Sequence, residues 1–372
     1  MSVDTNLVPK SKPTTYSHND RTFEKGIENM DSIQLKPSIQ QFLVAALASS
    51  EFQILPLAGD ASNRRYFRIV FGETTYVLMV WEPFDNVNSY PFLSVLDLFH
   101  RHEVNVPKVI NLSPELGVIL LEDLGDLTLE RKFWESQDQL TVVPFYQMAL
   151  DELIKIHYKT STDKASGCTA FQISFDTEKL LWEMNYAKKH LLQQAAKIKL
   201  SNETEKKLDN IFLDICQKLD NQPKTICHRD YHSRNLMIKL GKMRVIDFQD
   251  ARLGPIEYDL VSLFRDSYVD LNKDVQDSLK KYYIENANSL RKSPISPDEF
   301  HQTYHLQMIQ RCFKACGSFS SFLNIRNDKR YLSYIAPTLN RVQEALSMFP
   351  EYRFFAEFLS ENGLMDLEYD KL

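Results

Sequence analysis

Strand-like sequence is confined to one part of this chain, which limits the folds open to it. Five short runs are rich in β-branched and aromatic residues: 52–58, 65–71, 76–81, 108–111 and 118–121. Such runs, separated by turn-like sequence, predict a small antiparallel sheet. Beyond residue 125 the apolar periodicity is almost entirely helical. The sequence therefore predicts an α+β fold with two lobes, a small sheet followed by a larger, mostly helical part.

The change in pattern also predicts where the regions of the chain begin and end. Residues 1–33 combine Ser, Thr, Pro, Asn and charged side chains without apolar periodicity, so we predict a disordered tail. Residues 34–124 are predicted to form the sheet-bearing N-lobe, and residues 125–372 the helical C-lobe. Only 10 of the 372 residues are glycine, which leaves few positions for tight hairpins and favours helices in the C-lobe.

Charge and apolar run lengths argue against two classes of partner. Lys and Arg number 44 against 50 Asp and Glu, a net charge of −6, so we expect no nucleic-acid partner. The longest apolar run, 42–48, is too short to span a bilayer, and the N-terminal sequence lacks the apolar core of a signal peptide, so we expect no membrane association. Five cysteines without a C-x-x-C pair favour reduced thiols and a cytoplasmic location.

Chemically reactive side chains concentrate in HRDYHSRN, residues 228–235, and in DFQD, residues 247–250. An apolar hairpin separates the two segments, and its Gly241-Lys242 pair suits a type II′ turn. That turn would bring the residues at the two ends of the hairpin within about 5 Å of each other. We therefore predict that side chains from both segments form one site.

Asn235 and Asp247 are the residues at those ends, and Asp230 lies five residues before Asn235. An amide oxygen and a carboxylate suit Mg²⁺, and a further carboxylate suits a base for the acceptor hydroxyl in phosphoryl transfer. A strict pleat would point Asn235 and Asp247 to opposite faces, so we expect the chain to leave regular pairing at Asn235.

Two other interpretations of these segments remain open. In the first, Asp230, Asn235 and Asp247 only satisfy main-chain amides of polar turns. In the second, His228 and His232 bind zinc together with the neighbouring Cys227, although no fourth ligand has suitable spacing. The joint pattern H-R-D-x-x-x-x-N, an apolar hairpin and I-D-F favours phosphoryl transfer, because protein-kinase-like enzymes have these motifs in the same order.

Several longer segments carry a resemblance to a known family: LAGDASNRRYFRI at 57–69, LLEDLGD at 120–126, HRDYHSRNLM at 228–237, VIDFQDARLGPIEYDLVSLFRDSY at 245–268, and QRCFKACGSF with KRYLSYI within 310–335. The chain resembles the aminoglycoside phosphotransferase superfamily. Within it, the chain is most similar to the bacterial anomeric kinases of N-acetylmuramate and N-acetylglucosamine. The resemblance covers residues 50–350 and implies a two-lobed, protein-kinase-like fold.

The resemblance also implies roles for individual residues, with ATP and Mg²⁺ as cofactors and a small amino sugar as substrate. Asp230 would accept the proton of the sugar hydroxyl, and Asn235 and Asp247 would hold Mg²⁺. Contacts to ATP are expected from the phosphate-covering turn, the third strand and the hinge: Ser62, Asn63, Arg64, Arg65, Met79, Leu121, Glu122 and Leu124. Contacts to the sugar are expected from three residues of the C-lobe: Glu183, His232 and Asp250.

Other acceptors remain open. The amino-sugar kinase is the first hypothesis. The second hypothesis is a kinase of another small alcohol, such as an aminoglycoside or a choline-like amine. The third is a nucleotide-binding pseudokinase or a protein kinase. Gly254-Pro255 follows Asp247 by only seven residues, which leaves no room for the activation segment of a protein kinase. Trp182 and Tyr186, four residues apart on a predicted helix, suit either sugar stacking or ordinary core packing.

The third strand departs from the kinase pattern. Kinase-like enzymes carry there a Lys that contacts the ATP phosphates, but the run 76–81 contains none. Three arginines, Arg64, Arg65 and Arg68, lie in the preceding turn and strand. By strand alternation Arg65 shares a face with Phe67 and Ile69, which we expect to be the face above the nucleotide. Arg65 is therefore the predicted phosphate contact.

Overall fold

The computed structural model describes residues 35–57 and 64–372. The predicted disordered tail, 1–33, lies outside the described residues, as do Ser62 and Asn63 of the predicted phosphate-covering turn. Within the described part of the chain, no helix is long and apolar enough to cross a membrane.

The N-lobe is the predicted five-stranded antiparallel sheet with two helices. Its elements in chain order are α1 (Pro37–Leu47), β1 (Gln53–Leu57), β2 (Arg65–Phe71), β3 (Thr74–Val80), α2 (Pro91–Arg101), β4 (Val109–Ser113) and β5 (Val118–Glu122). The spatial order is β1-β2-β3-β5-β4, and every neighbouring pair is antiparallel. The sheet confirms the α+β prediction for this part of the chain.

The two faces of the sheet pack against different partners. Phe67 and Ile69 of β2 are buried in a small core with Ile39 and Leu43 of α1. Met79 of β3 points to the other face and is buried in the main core of the protein. Because side chains alternate along a strand, the residues of β2 that neighbour Phe67 and Ile69 point away from α1, towards the C-lobe.

The C-lobe is mainly helical, as predicted. Its helices are α3 (Leu129–Trp134), α4 (Val143–Ile154), α5 (Thr177–Ala187), α6 (Asn202–Asp220), α7 (Glu257–Phe264), α8 (Lys273–Asn288), α9 (Pro297–Arg326), α10 (Ile335–Leu346) and α11 (Arg353–Glu361). Its short strands form two antiparallel pairs, β6 (Thr225–Cys227) with β9 (Arg252–Gly254) and β7 (Leu236–Lys239) with β8 (Lys242–Val245).

Helices α5 and α9 begin at well-defined caps and pack closely together. Asp176 accepts a hydrogen bond from the main-chain N–H of Lys179 (2.8 Å) and so starts α5. Ser296 caps α9, and Pro297 occupies its first turn, where a missing N–H costs nothing. The helices approach so closely at Gly317 of α9 that a Cβ atom there would lie 2.6 Å from the Cβ of Ala187.

The hairpin between the two reactive segments turns one residue earlier than predicted. Leu236 pairs with Val245, and Lys239 pairs with Lys242, so the turn residues are Leu240 and Gly241. Both have positive φ (50° and 70°), as a type I′ turn requires. The prediction of a Gly241-Lys242 turn was wrong because exposed Leu240 adopts a left-handed conformation that its residue type disfavours.

Candidate active site

The segment 228–235, called the catalytic loop below, is held from beneath by helix α7. Asp259 accepts hydrogen bonds from the main-chain N–H groups of His228 (2.7 Å) and Arg229 (2.9 Å). The imidazole Nε2 of His157 lies 3.1 Å from the same carboxylate. This bracing holds Arg229 at φ +84°, a conformation that a residue with a side chain rarely adopts.

Two further contacts fix the end of the catalytic loop. Asp266 accepts the main-chain N–H of Ser233 (2.8 Å), and Asn235 Nδ2 donates to the carbonyl oxygen of Asp230 (2.9 Å). Asn235 ends a short 3₁₀ turn just before β7, so the chain leaves regular pairing there, as predicted. With its amide nitrogen engaged by the loop, Asn235 has its amide oxygen available for another ligand.

Asp230 is the carboxylate at the centre of this loop. Burial would raise its pKa, but the positive charges of Arg229 and Lys314 outweigh burial and hold the pKa below the ordinary value. Arg229 Nε lies 3.9 Å from Asp230 Oδ2. Asp230 is therefore ionised at neutral pH and can accept a hydrogen bond or a proton from a hydroxyl placed beside it.

Asp247 and Asn235 meet at the end of the hairpin, as the sequence predicted. Asn235 Nδ2 lies 3.4 Å from Asp247 Oδ2, and Asp247 has φ +63°. Burial and the nearby negative charge of Asp230 raise the pKa of Asp247. A carboxylate and an amide oxygen in a negative potential form a donor set that fits Mg²⁺.

A cleft of about 780 Å³ lies between the sheet and the catalytic loop. The predicted hinge residues Leu121, Glu122 and Leu124 line it, together with Asn235 and Asp247. Met79 was predicted to contact ATP, but it lies in the main core, fully buried. The cleft therefore joins the predicted hinge to the predicted metal ligands.

The structure corrects the prediction for the arginines. Arg65 is exposed and shares its face with Phe67 and Ile69, which pack against α1 on the side away from the cleft. Arg64 and Arg68 line the cleft instead. The prediction failed because it took the more apolar face of β2 to be the inner one, whereas α1 covers that face.

The two arginines in the cleft have different partners. Arg64 Nη1 lies 3.9 Å from Asp247 Oδ1, and its guanidinium stacks 4.7 Å from the centroid of Trp81. Arg68 forms ion pairs with Asp123 (2.6 Å) and Asp126 (2.9 Å), next to the hinge. Arg64 thus points at the predicted metal site, whereas Arg68 ties the sheet to the hinge.

A second, smaller cavity of about 320 Å³ lies on the other side of the catalytic loop, between α5 and α9. We call it the acceptor pocket. Its lining combines aromatic and charged side chains: Trp182, Glu183, Tyr186, Arg229, Lys314 and Arg326. Lys314 and Arg229 both lower the pKa of Asp230, so this pocket adjoins the predicted base.

The three residues predicted to contact a sugar occupy different positions. Glu183 lines the acceptor pocket. Asp250 lines the larger cleft and forms a 3.0 Å ion pair with Arg229. His232 stacks edge-on against Tyr268 at 5.4 Å, and burial lowers its pKa. The structure therefore places Glu183 in the pocket that Arg229 lines, and Asp250 in an ion pair with Arg229.

The three cations of the acceptor pocket, Arg229, Lys314 and Arg326, were not among the predicted site residues. Arg229 is the middle residue of the H-R-D motif, and Lys314 lies in QRCFKACGSF. The position of Arg229 directly before Asp230 in the sequence could have indicated that it belongs to the site. Lys314 lies about 80 residues from the catalytic loop, and the sequence alone does not show that α9 returns to that loop.

A comparison with known families agrees with this site. The model of the phosphotransferase enzyme family (APH) matches residues 53–291. The chain belongs to this family. It is therefore a phosphotransferase, and the predicted aminoglycoside phosphotransferase resemblance is confirmed.

Two named relatives are similar to this chain over most of its length. A protein of Neisseria meningitidis serogroup B named N-acetylmuramate/N-acetylglucosamine kinase is 29% identical over 341 residues, which covers 89% of this chain and 98% of that protein. A protein of the same name from Pseudomonas aeruginosa is 29% identical over 310 residues, covering 83% and 88%.

Solved structures share the fold at lower identity. A choline/ethanolamine kinase family protein from Mesorhizobium loti has a TM-score of 0.56 at 15% identity, covering 88% of this chain and 98% of that one. The ADP-bound aminoglycoside phosphotransferase APH(2″)-Ib has a TM-score of 0.55 at 17% identity, covering 86% and 99%. These similarities confirm the predicted two-lobed, protein-kinase-like fold.

Proposed function

We propose that this protein transfers the γ-phosphoryl group of ATP to the anomeric hydroxyl of an amino sugar, N-acetylmuramate or N-acetylglucosamine. The observation that carries the proposal is the acceptor pocket, because its charges and aromatic side chains suit such a sugar and it adjoins Asp230. The names of the relatives from Neisseria meningitidis and Pseudomonas aeruginosa support the same acceptors.

The charge of the acceptor pocket distinguishes between acceptor classes. Arg229, Lys314 and Arg326 supply three cations to its lining and Glu183 supplies one carboxylate, while Asp230 and Asp250 lie beside Arg229. The lining is therefore mixed, and it lacks the strongly acidic character that suits a cationic acceptor such as an aminoglycoside or a choline-like amine. A neutral amino sugar is compatible with this mixed lining, and a carboxylate on the sugar can pair with one of its cations.

Aromatic side chains at the rim support a carbohydrate acceptor. The rings of Trp182 and Tyr186 lie 5.3 Å apart on one face of α5, and the Trp182 side chain is 54% exposed. An indole held in solvent at the mouth of a polar pocket offers a flat apolar surface against which a sugar ring can stack. Core packing, the other interpretation of these residues, does not account for this exposure.

On the nucleotide side, the larger cleft has the features that ATP needs. The hinge from Leu121 to Leu124 supplies main-chain groups for the adenine edge, and Arg64 brings a cation to the phosphates. An ADP-bound relative of the same fold supports this assignment. Asn235 and Asp247 would hold Mg²⁺, which neutralises charge on the phosphate oxygens when bound.

The proton chemistry also favours an anomeric hydroxyl. Asp230 has a lowered pKa and is therefore a weak base. The anomeric hydroxyl is the most acidic hydroxyl of a reducing sugar, so a weak base is sufficient to accept its proton as the bond to phosphorus forms. The Asp230 carboxylate would orient that hydroxyl and receive its proton, while Arg229 and Lys314 keep the carboxylate ionised.

The same proposal gives the reaction a place in the cell. Amino sugars released from the cell wall would be phosphorylated at the anomeric carbon and returned to precursor synthesis. We propose a cytoplasmic location for this step, because ATP is available there.

The test is to incubate the protein with ATP, Mg²⁺ and a panel of sugars, and to locate the new phosphate by ³¹P and ¹H NMR. We expect a sugar 1-phosphate from N-acetylmuramate or N-acetylglucosamine, and no product from the 1-O-methyl glycosides. Asp230→Asn serves as the inactive control, because an amide cannot accept the proton.

Three outcomes would contradict the proposal in different ways. Turnover of the methyl glycosides at the rate of the free sugars would move the acceptor hydroxyl elsewhere on the ring. Phosphorylation of aminoglycosides or choline, but of no amino sugar, would support the second hypothesis. Absence of Mg·ATP binding in a thermal-shift titration would favour a pseudokinase.

A further inference from the structure

Glu183 occupies an unusual position in the wall of the acceptor pocket. Its side chain is only 1% exposed, and its Oε2 atom accepts a hydrogen bond from Gln310 Nε2 of α9 (3.0 Å). Among the described residues, its other oxygen, Oε1, has no hydrogen-bond partner. The ammonium Nζ of Lys179 lies 3.8 Å from that oxygen, beyond hydrogen-bond distance.

A second buried glutamine fixes which group of Gln310 faces Glu183. Gln307 Nε2 donates to Gln310 Oε1 (2.9 Å), and both glutamines are fully buried. With its amide oxygen engaged in this way, Gln310 can present only its NH₂ group to Glu183. The pair therefore holds the carboxylate through Oε2 and leaves Oε1 of this pocket-lining residue without a donor.

Leaving a buried carboxylate oxygen without a donor is costly, so the arrangement requires an explanation. The cations Arg229 and Lys314, which line the same pocket, interact favourably with the negative charge of Glu183 but do not donate to Oε1. A bound molecule that brings its own N–H or O–H group would satisfy that oxygen. The pocket is thus missing one donor that an acceptor sugar can provide.

We infer that Glu183 Oε1 accepts a hydrogen bond from a donor on the ring of the acceptor sugar, a hydroxyl or the acetamido N–H, and so determines specificity. The inference rests on the proposed function, because it assumes that the acceptor pocket binds the sugar. Gln310 is a positioning residue in this arrangement, since it acts on the sugar only through Glu183.

The first test is Glu183→Gln. The one carbonyl oxygen of the new side chain would accept the hydrogen bond from Gln310. An NH₂ group would then face the donor on the sugar, in place of the acceptor oxygen Oε1. We expect kcat/KM for the sugar to fall about 10- to 100-fold, mainly through KM, with the KM for ATP unchanged. Glu183→Asp keeps the negative charge but moves it away from the sugar, because its side chain is one methylene shorter. It should lower kcat/KM for the sugar in the same way.

The second test separates positioning from general destabilisation. Gln310→Met removes the donor that orients Glu183 and should raise the KM for the sugar with little effect on the KM for ATP. Gln276→Met is the matched control, because Gln276 is equally buried but donates to a main-chain carbonyl of Leu271, away from the pocket. We expect it to lower thermal stability without changing the KM for the sugar.

Comparing N-acetylglucosamine with glucose identifies the donor. If the effect of Glu183→Gln disappears with glucose, the donor is the acetamido N–H, and if it persists, the donor is a hydroxyl. If the wild-type protein phosphorylates the sugar, but Glu183→Gln and Gln310→Met leave the KM for the sugar unchanged, the inference is wrong and the proposed function still stands. A wild-type protein that turns over no sugar would overturn the proposed function as well.

Discussion

Replacement of Gly317 by Ala would test whether the spacing of α5 and α9 sets the shape of the acceptor pocket. A Cβ atom at position 317 would lie 2.6 Å from the Cβ of Ala187 on α5, whereas ordinary contact begins near 3.4 Å. The two helices would therefore have to separate by about 1 Å. Lys314 and Glu183, which lie on the two facing walls of the pocket, would move apart with them.

The effects on stability and on catalysis should differ greatly in size. Overpacking costs about 1–3 kcal/mol, and the better helix propensity of Ala recovers about 1 kcal/mol, so the net loss is about 0–2 kcal/mol. In a chain of this length that lowers the Tm by only a few degrees. A displacement of about 1 Å between groups that position a substrate can lower the rate by about 100-fold.

The assay is to measure initial rates against sugar at saturating ATP and against ATP at saturating sugar, with Tm from thermal denaturation. We expect kcat/KM for the sugar to fall 10- to 100-fold, while the KM for ATP changes less than twofold. Gln302→Ala, at an exposed position of the same helix, should change neither. A Gly317→Ala protein with higher Tm and normal sugar kinetics would refute the close approach of the two helices.

Two further predictions concern charged side chains. Arg64→Ala should raise the KM for ATP and lower kcat, whereas Arg65→Ala should leave ATP kinetics within about twofold; the reverse order in steady-state rates would restore the sequence-based choice of Arg65. Burial raises the pKa of Glu257 to about 7, so ionisation of this carboxyl destabilises the fold. The destabilisation is absent below pH 4.5, grows as the pH rises, and is complete above pH 7. Glu257→Gln should therefore raise stability by about 3 kcal/mol at pH 8 and by nothing near pH 4.5, and Tm curves that run parallel across this range would contradict the burial argument.

Local sequence was sufficient to predict the sheet and the convergence of the reactive segments. Strand runs and turn residues act over a few positions, so the sheet follows from its own segment. Asn235 and Asp247 meet because a short hairpin joins them. This prediction was correct although the turn residues of the hairpin were predicted wrongly. These features depend on contacts between residues that are close in the chain.

Features that depend on distant packing were not predictable in this way. Which face of β2 lies inside depends on α1, which covers Phe67, and strand alternation alone treats both faces alike. The acceptor pocket requires α5 and α9 to meet, and Lys314 reaches Asp230 only through that packing. No local pattern in either helix specifies its partner.

The left-handed backbone at Arg229 sets local backbone strain against side-chain function at one residue. Glycine would adopt φ +84° without the steric cost that arginine bears there, on the order of 1 kcal/mol. Glycine would also remove the guanidinium that lies between Asp230 and Asp250. A directed-evolution screen that selects for activity would therefore keep arginine at position 229 despite its backbone strain, whereas glycine there would relieve the strain but leave Asp230 with one fewer neighbouring cation.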